Sequence, residues 1–349
     1  MNAGGEPLLH FAAFEKLWGG LENVKHIEPE TASPGRVRGW TSGRPQRFGD
    51  RIFSNLTLIF ALVIVGILFG FVVILNIDAI PAISKFGLSF LGSSSWDPVK
   101  EQFGALPAIY GTLLSSLIGL VIAVPISLGA AIFLVEMAPS WLKGTASFLI
   151  EMLAAIPSVI IGLWGLFVLV PLVRSPVESW LGSKLGFLPL FQGPPFGVGF
   201  LAAGIILAIM VIPIITAVSR DAIRAVPDSQ REAMMALGAT PWETIRRAVL
   251  PYCRSGLVGA VILGLGRALG ETMAITMVIG NSYALTASLF SPGATIASKI
   301  ASEFSEATGG VFIGSLVELA LVLFAVTLLI NIVARLLIWR MTAVKAPIE

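Results

Sequence analysis

The chain is short of the residues from which most active sites are built. It has one cysteine, Cys253, so no intramolecular disulfide can form, and a thiolate metal site is not expected. Its two histidines, His10 and His26, both lie in the N-terminal tail, which excludes a histidine metal site among the apolar segments. No Gly-Lys dipeptide occurs anywhere, so the lysine-bearing phosphate loop of nucleotide hydrolases is absent. Charge is scarce too: 13% of the 349 residues are Asp, Glu, Lys or Arg, against about 25% in soluble domains. A basic start running straight into an apolar stretch, the mark of a cleavable signal peptide, is not evident.

What fills the chain is apolar sequence, 56% of it. Six long apolar runs are expected as spans near 53–76, 108–136, 145–173, 199–219, 254–280 and 314–339. Several exceed the ~20 residues needed to cross a bilayer core. Lipid offers backbone groups no partner, so the runs read as α-helices, and a barrel would show short alternating segments instead. The fold class is all-α and polytopic, with a polar tail over residues 1–50 and a membrane domain over 51–349. In the tail, Leu8, Phe11, Phe14, Trp18 and Leu21 recur at helical spacing, a stripe suited to a membrane surface. Pro125, Pro157 and Pro213 fall inside three expected spans and should kink them. Gly256, Gly259, Gly264, Gly266 and Gly270 make the fifth span dense in small residues, which permits close helix approach.

Lys and Arg set the orientation. With the N-terminus inside, 17 fall on cytoplasmic segments and 5 on outer ones. That bias predicts both termini in the cytoplasm, and with them the polar island of residues 220–253. Within the island, Ser229-Gln230-Arg231-Glu232 and Thr240-Pro241-Trp242-Glu243 each have the form of a capping box. Gly238 suits the left-handed residue that ends a helix. The expectation is two short helices, the second ending at Leu250-Pro251, and too short to persist unless something packs on them.

Two charges stand inside the fifth span. Arg267 and Glu271 are four apart and should share a helical face. A charge at mid-membrane costs roughly 2.5–3.5 kcal/mol on insertion scales. Either the two form an ion pair that fixes helix packing, or Arg267 presents its planar fork of donors to an anion while Glu271 tunes it. Glu151, Glu318 and Glu136 are further carboxylates in or beside spans and read as structural, with a pathway lining as the alternative. Asn281 and Ser282 read as a helix cap.

The order Glu232-Ala233, Gly238, Leu250-Pro251 resembles the docking loop of membrane subunits of ABC importers, with Met234 and Ala248 as apolar departures from its pattern. That resemblance implies the type I importer permease architecture and makes Glu232, Ala233 and Gly238 contacts for a separate ATPase. The run from Arg267 to Asn281, with the segment Phe90 to Thr112, resembles the PstC-type permeases of phosphate ABC importers. It covers roughly residues 50–340 and implies a bacterial inner-membrane subunit that is not an enzyme and binds no cofactor. The ATP would be used by a partner. The implied partners are a PstA-like second permease, two ATPase subunits, a periplasmic phosphate-binding protein, phosphate and lipid, with no nucleic acid. The resemblance also places Arg267 and Glu271 in the substrate path. Carriage of another oxyanion (sulfate or molybdate) and a non-transporting sensor or scaffold role stay open.

Overall fold

A computed structural model describes residues 48–343, so the amphipathic stripe from Leu8 to Leu21 lies outside the described residues. By internal contacts the chain divides into residues 1–65 and 66–349. In the first unit the described residues are helical, the opening turns of α1 (Phe48–Phe86).

Among the described residues six helices are long and apolar enough to cross a membrane. They lie in α1, in α3 with its terminal wide turn (Leu106–Met137), and in α5 (Ser158–Leu185), α6 (Phe200–Arg224), α8 (Pro241–Gly270) and α11 (Gly310–Ala343). Between them come α2 (Ser89–Gly92), the hairpin β1 (Trp96–Asp97) and β2 (Gln102–Phe103), α4 (Ser140–Ala154), α7 (Asp228–Ala236), α9 (Met273–Val278) and α10 (Ile296–Glu303).

The core of the second unit forms around α6, where Ala202, Ala203, Ile206, Leu207, Val211 and Ile215 are all buried. Its tightest crossing is with α3. A Cβ on Gly119 would stand 2.8 Å from that of Leu207, and one on Gly204 would overlap Ile118, so both positions need glycine. The small residues of α8 divide into two sets. Gly256 and Gly264 abut Ala222 and Ile215, whereas Gly259, Gly266 and Gly270 face open space.

Two expected spans have different limits. Pro125 and Pro213 do sit inside helices, but Pro157 does not merely kink one. The residue before a proline avoids the helical region, and the chain breaks there into α4 and α5. The third span therefore starts at Ser158, and Glu151 belongs to the separate helix α4. The fifth begins earlier than expected, at Pro241, and stops at Gly270. Its wide turn at Ile245–Val249 carries the helix through Leu250-Pro251 without interruption.

The hairpin end of the bundle is closed by aromatic rings. Trp96 lies edge-on to Phe103 at 4.9 Å, and Phe103 stacks on Phe312 at 5.2 Å. Lys299, 5% exposed, holds its ammonium 4.6 Å from the Tyr283 ring centre and 5.0 Å from that of Trp96. Glu303 accepts from Lys299 at 2.5 Å and from the Trp96 indole at 2.7 Å, so the buried charge is both paired and caged. In the hairpin turn the Asp97 carboxylate accepts from the Lys100 and Val99 amides, which holds its carboxyl below its ordinary value.

Candidate functional site: a docking loop joined to an intramembrane arginine

The loop between α6 and α8 begins where Pro227 ends the preceding turn. Proline fixes φ near −65° and suits the start of a helix, so α7 begins at Asp228, one residue before the expected cap at Ser229. No side chain caps it, and the first expected capping box does not form. The far end of α7 follows expectation. Gly238 has φ +83°, and the amides of Gly238 and Ala239 donate to Met235 and Met234, the paired bonds of a Schellman motif. The second capping box also forms. The Thr240 hydroxyl accepts from the Glu243 amide, and the Glu243 carboxylate accepts from the Thr240 amide. It opens a long helix, however, and not the short one expected.

Arg231 fastens this loop to the bundle. Its guanidinium donates twice to Glu136 Oε1, at 2.9 and 3.2 Å. It also donates to the carbonyls of Val226 and Ile223, at 2.6 and 3.1 Å, and to Asp228 at 3.1 Å. Nearby, Arg220 is 7% exposed and donates through two nitrogens to Glu151 Oε1, both at 3.1 Å. Glu136 and Glu151 are thus ion-pair partners that tie α3 and α4 to the loop end. The loop's outer face is uncovered: Glu232, Ala233 and Gly238 are all exposed. So are Met235 (52%), Leu237 (84%) and Trp242 (59%), a patch of large apolar side chains on an otherwise polar segment. Sequence reasoning passed over Leu237 and Trp242. Their signal was apolar bulk inside a charged island.

At the other end of α8 the helix stops at Gly270, and Glu271 takes an extended conformation with ψ 126°. Arg267 and Glu271 therefore do not share a helical face, and no ion pair joins them among the described residues. Glu271 is 7% exposed, and its Oε1 accepts from the Ala274 amide at 3.3 Å, capping α9. At the end of α9, Gly280 (φ +87°) and Asn281 (φ +50°) turn the chain, and the Asn281 side-chain Nδ2 donates to the Thr276 carbonyl, a cap as expected.

Arg267 points elsewhere. It lines an open cavity of about 590 Å3 with Ile214 of α6, Gly259, Ile262, Leu263 and Gly266 of α8, and Asn331 and Arg335 of α11. Two guanidinium groups and an amide supply its polar side chains, and among the described residues no carboxylate lines it. Such a set suits an anion. Arg335 was counted from sequence only as a loop charge. Its position four residues after Asn331, on the same face of an apolar helix, was the overlooked signal.

Residues 123–343 match the family described as binding-protein-dependent transport system inner membrane component. The chain belongs to that family. Among its relatives are proteins named phosphate transport system permease protein PstC. That of Haemophilus influenzae is 51% identical over 304 residues, covering 86% of this chain and 96% of the relative. That of Mesorhizobium japonicum is 45% identical over 313 residues, covering 88% and 96%. Among solved structures, a bacterial ABC transporter involved in the import of the acidic polysaccharide alginate aligns over 82% of this chain and 98% of its own, with a TM-score of 0.53 and 17% identity. That likeness speaks to the fold alone, the type I importer permease fold. The chain is thus a multi-pass membrane permease subunit of the PstC type, a component of an ABC importer and not itself a catalyst.

Proposed function

We propose that the chain carries inorganic phosphate across the bacterial inner membrane as one permease of an ATP-driven importer. Its partners in this reading are a PstA-like second permease, two ATPase subunits bound at the α7 loop and a periplasmic binding protein that delivers phosphate at the hairpin end. Both termini are cytoplasmic, in keeping with the 17-to-5 bias of basic residues. The observation that carries the proposal is the continuity of α8. One helix starts at the Thr240 capping box beside the exposed docking patch and carries Arg267 at its far end. At 1.5 Å per residue the two are about 40 Å apart along one unbroken helix, so a displacement of the loop by the motor is passed toward the arginine along continuous helical backbone. Relatives named as phosphate permeases support the cargo.

In the single chain Arg267 is exposed, and a guanidinium facing hydrocarbon is costly. The second permease covers it in this reading, so the path runs between the two subunits, lined by Arg267 and Arg335. Phosphate binds there through charge-assisted, fork-like hydrogen bonds. Glu271 shapes the path indirectly, by capping α9 and fixing the break that follows Arg267. Glu232, Ala233 and Gly238 meet the ATPase together with Leu237 and Trp242.

The test is uptake of labelled phosphate into proteoliposomes holding the assembled importer. Arg267→Ala should abolish uptake and Arg335→Ala should reduce it, with both variants assembling normally. Full uptake by Arg267→Ala would end the anion-station reading. Equal competition by sulfate would transfer the cargo assignment to oxyanions in general.

A further inference from the structure

Among the described residues one buried carboxylate, which faces a cavity, has no partner. Glu318, in the third turn of α11, is 8% exposed, and its Oε2 is buried without a hydrogen bond. It lines a cavity of about 580 Å3 with Ile83, Gly87, Leu88, Leu91, Val322 and Ala325 among others, and every other lining residue is apolar or glycine. Glu136 and Glu151 both found arginines. Glu318 found none, although Lys85 is near in sequence to the cavity's rim. That lysine is taken by Glu101 at 2.6 Å. A carboxyl group left in an apolar pocket is costly in either form: the anion lacks a cation, and the acid lacks an acceptor.

The cavity's position identifies what can supply the missing partner. One wall is α11. The other is the end of α1 and the turn into α2, where the chain leaves the first span. The candidate span of α1 ends at Phe86, so we read the opening as lying at an end of that span, on the hairpin side, where headgroups meet the bilayer core. A molecule filling it needs an apolar tail for Leu91, Val322, Ala325 and Leu329 and a cationic hydrogen-bond donor for Glu318. Free phosphate has neither, and a choline headgroup has charge but no donor.

We propose that this groove binds a phospholipid with a primary-amine headgroup, its ammonium on Glu318 and an acyl chain along α11. Beside the groove α1 and α11 already touch, since a Cβ on Gly314 would stand 3.3 Å from the Ala82 amide, and the lipid fills the space that opens past that contact.

The test uses the full-length chain in the assembly it forms, reconstituted in vesicles of equal phosphatidylethanolamine and phosphatidylcholine, then extracted and weighed intact by native mass spectrometry. The wild type should retain phosphatidylethanolamine about tenfold over phosphatidylcholine, the size of one hydrogen bond to a charged group. Glu318→Gln should lose that preference, and Ala325→Trp, which fills the groove and leaves Glu318 in place, should lose the bound lipid. Melting curves for both variants confirm that they are folded. Equal retention of the two lipids by the wild type would overturn the proposal, as would undiminished preference in Glu318→Gln or undiminished binding in folded Ala325→Trp.

Discussion

Replacing Arg231 by methionine tests how the docking loop is held. The side chain makes five hydrogen bonds, two of them to Glu136. The Arg231 and Glu136 side chains are 15% and 13% exposed. Removing one member of a buried pair strands the other and costs 3–5 kcal/mol, and the partial exposure at this boundary lowers that to about 2–4 kcal/mol. The cost falls on docking of the loop rather than on the spans, because every partner of Arg231 lies at the ends of α3 and α6, in the turn after α6 or in α7 itself. The docked population should drop by about 30-fold to 1,000-fold relative to the undocked one. Trypsin cleavage at Arg246 and Arg247, both exposed but helical, reads this local opening directly. Cleavage should accelerate, and ATP-driven uptake should fall while the protein still inserts and assembles. Adding Glu136→Met removes the stranded carboxylate and should recover most of the protection. The reasoning fails if Arg231→Met is cleaved and transports at wild-type rates. It fails as well if the double variant is as open as the single one, since burial of an unpaired charge would then not be the cause.

Two other changes probe the same element. Gly238→Val forces a β-branched residue to φ +83°, where no neighbour lies within 4 Å of a Cβ; the penalty is backbone strain of about 1–3 kcal/mol. It should appear as weaker ATPase co-purification, with milder loss for Gly238→Asn. Leu237→Glu alters a side chain that is 84% exposed. The melting temperature should hold, since surface changes stay within about 0.5 kcal/mol, while ATPase co-purification drops sharply; unchanged co-purification would remove Leu237 from the docking surface.

How much of this was readable beforehand depends on whether a feature is local. Six spans were legible because each is a run of apolar residues whose backbone has only one way to be satisfied in lipid. Gly238 and the Thr240–Glu243 box were legible because their partners lie within five residues. Failure began where a neighbouring residue competed. Ser229 had the form of a cap, but Pro227 had already started the helix, and the cap position passed to a residue with no side-chain donor or acceptor. Arg267 and Glu271 had helical spacing, but spacing assumes a helix, and the chain leaves it at Gly270. Glycine weakens a helix interior by roughly 0.5–1 kcal/mol, so the run Gly264, Gly266, Gly270 was a warning that the periodicity could not be extended through Glu271. The long-range pairs, Glu136 with Arg231 and Glu151 with Arg220, had no sequence signal beyond opposite charge. Periodicity reports which face of a helix a residue occupies and is silent on which helix lies opposite. For that reason Arg335 looked like a loop charge until α11 was set beside α8. Local pattern could place an arginine in the membrane, but only packing could show that, among the described residues, its cavity is lined by a second arginine and by no carboxylate, so that it is not one half of an ion pair with Glu271.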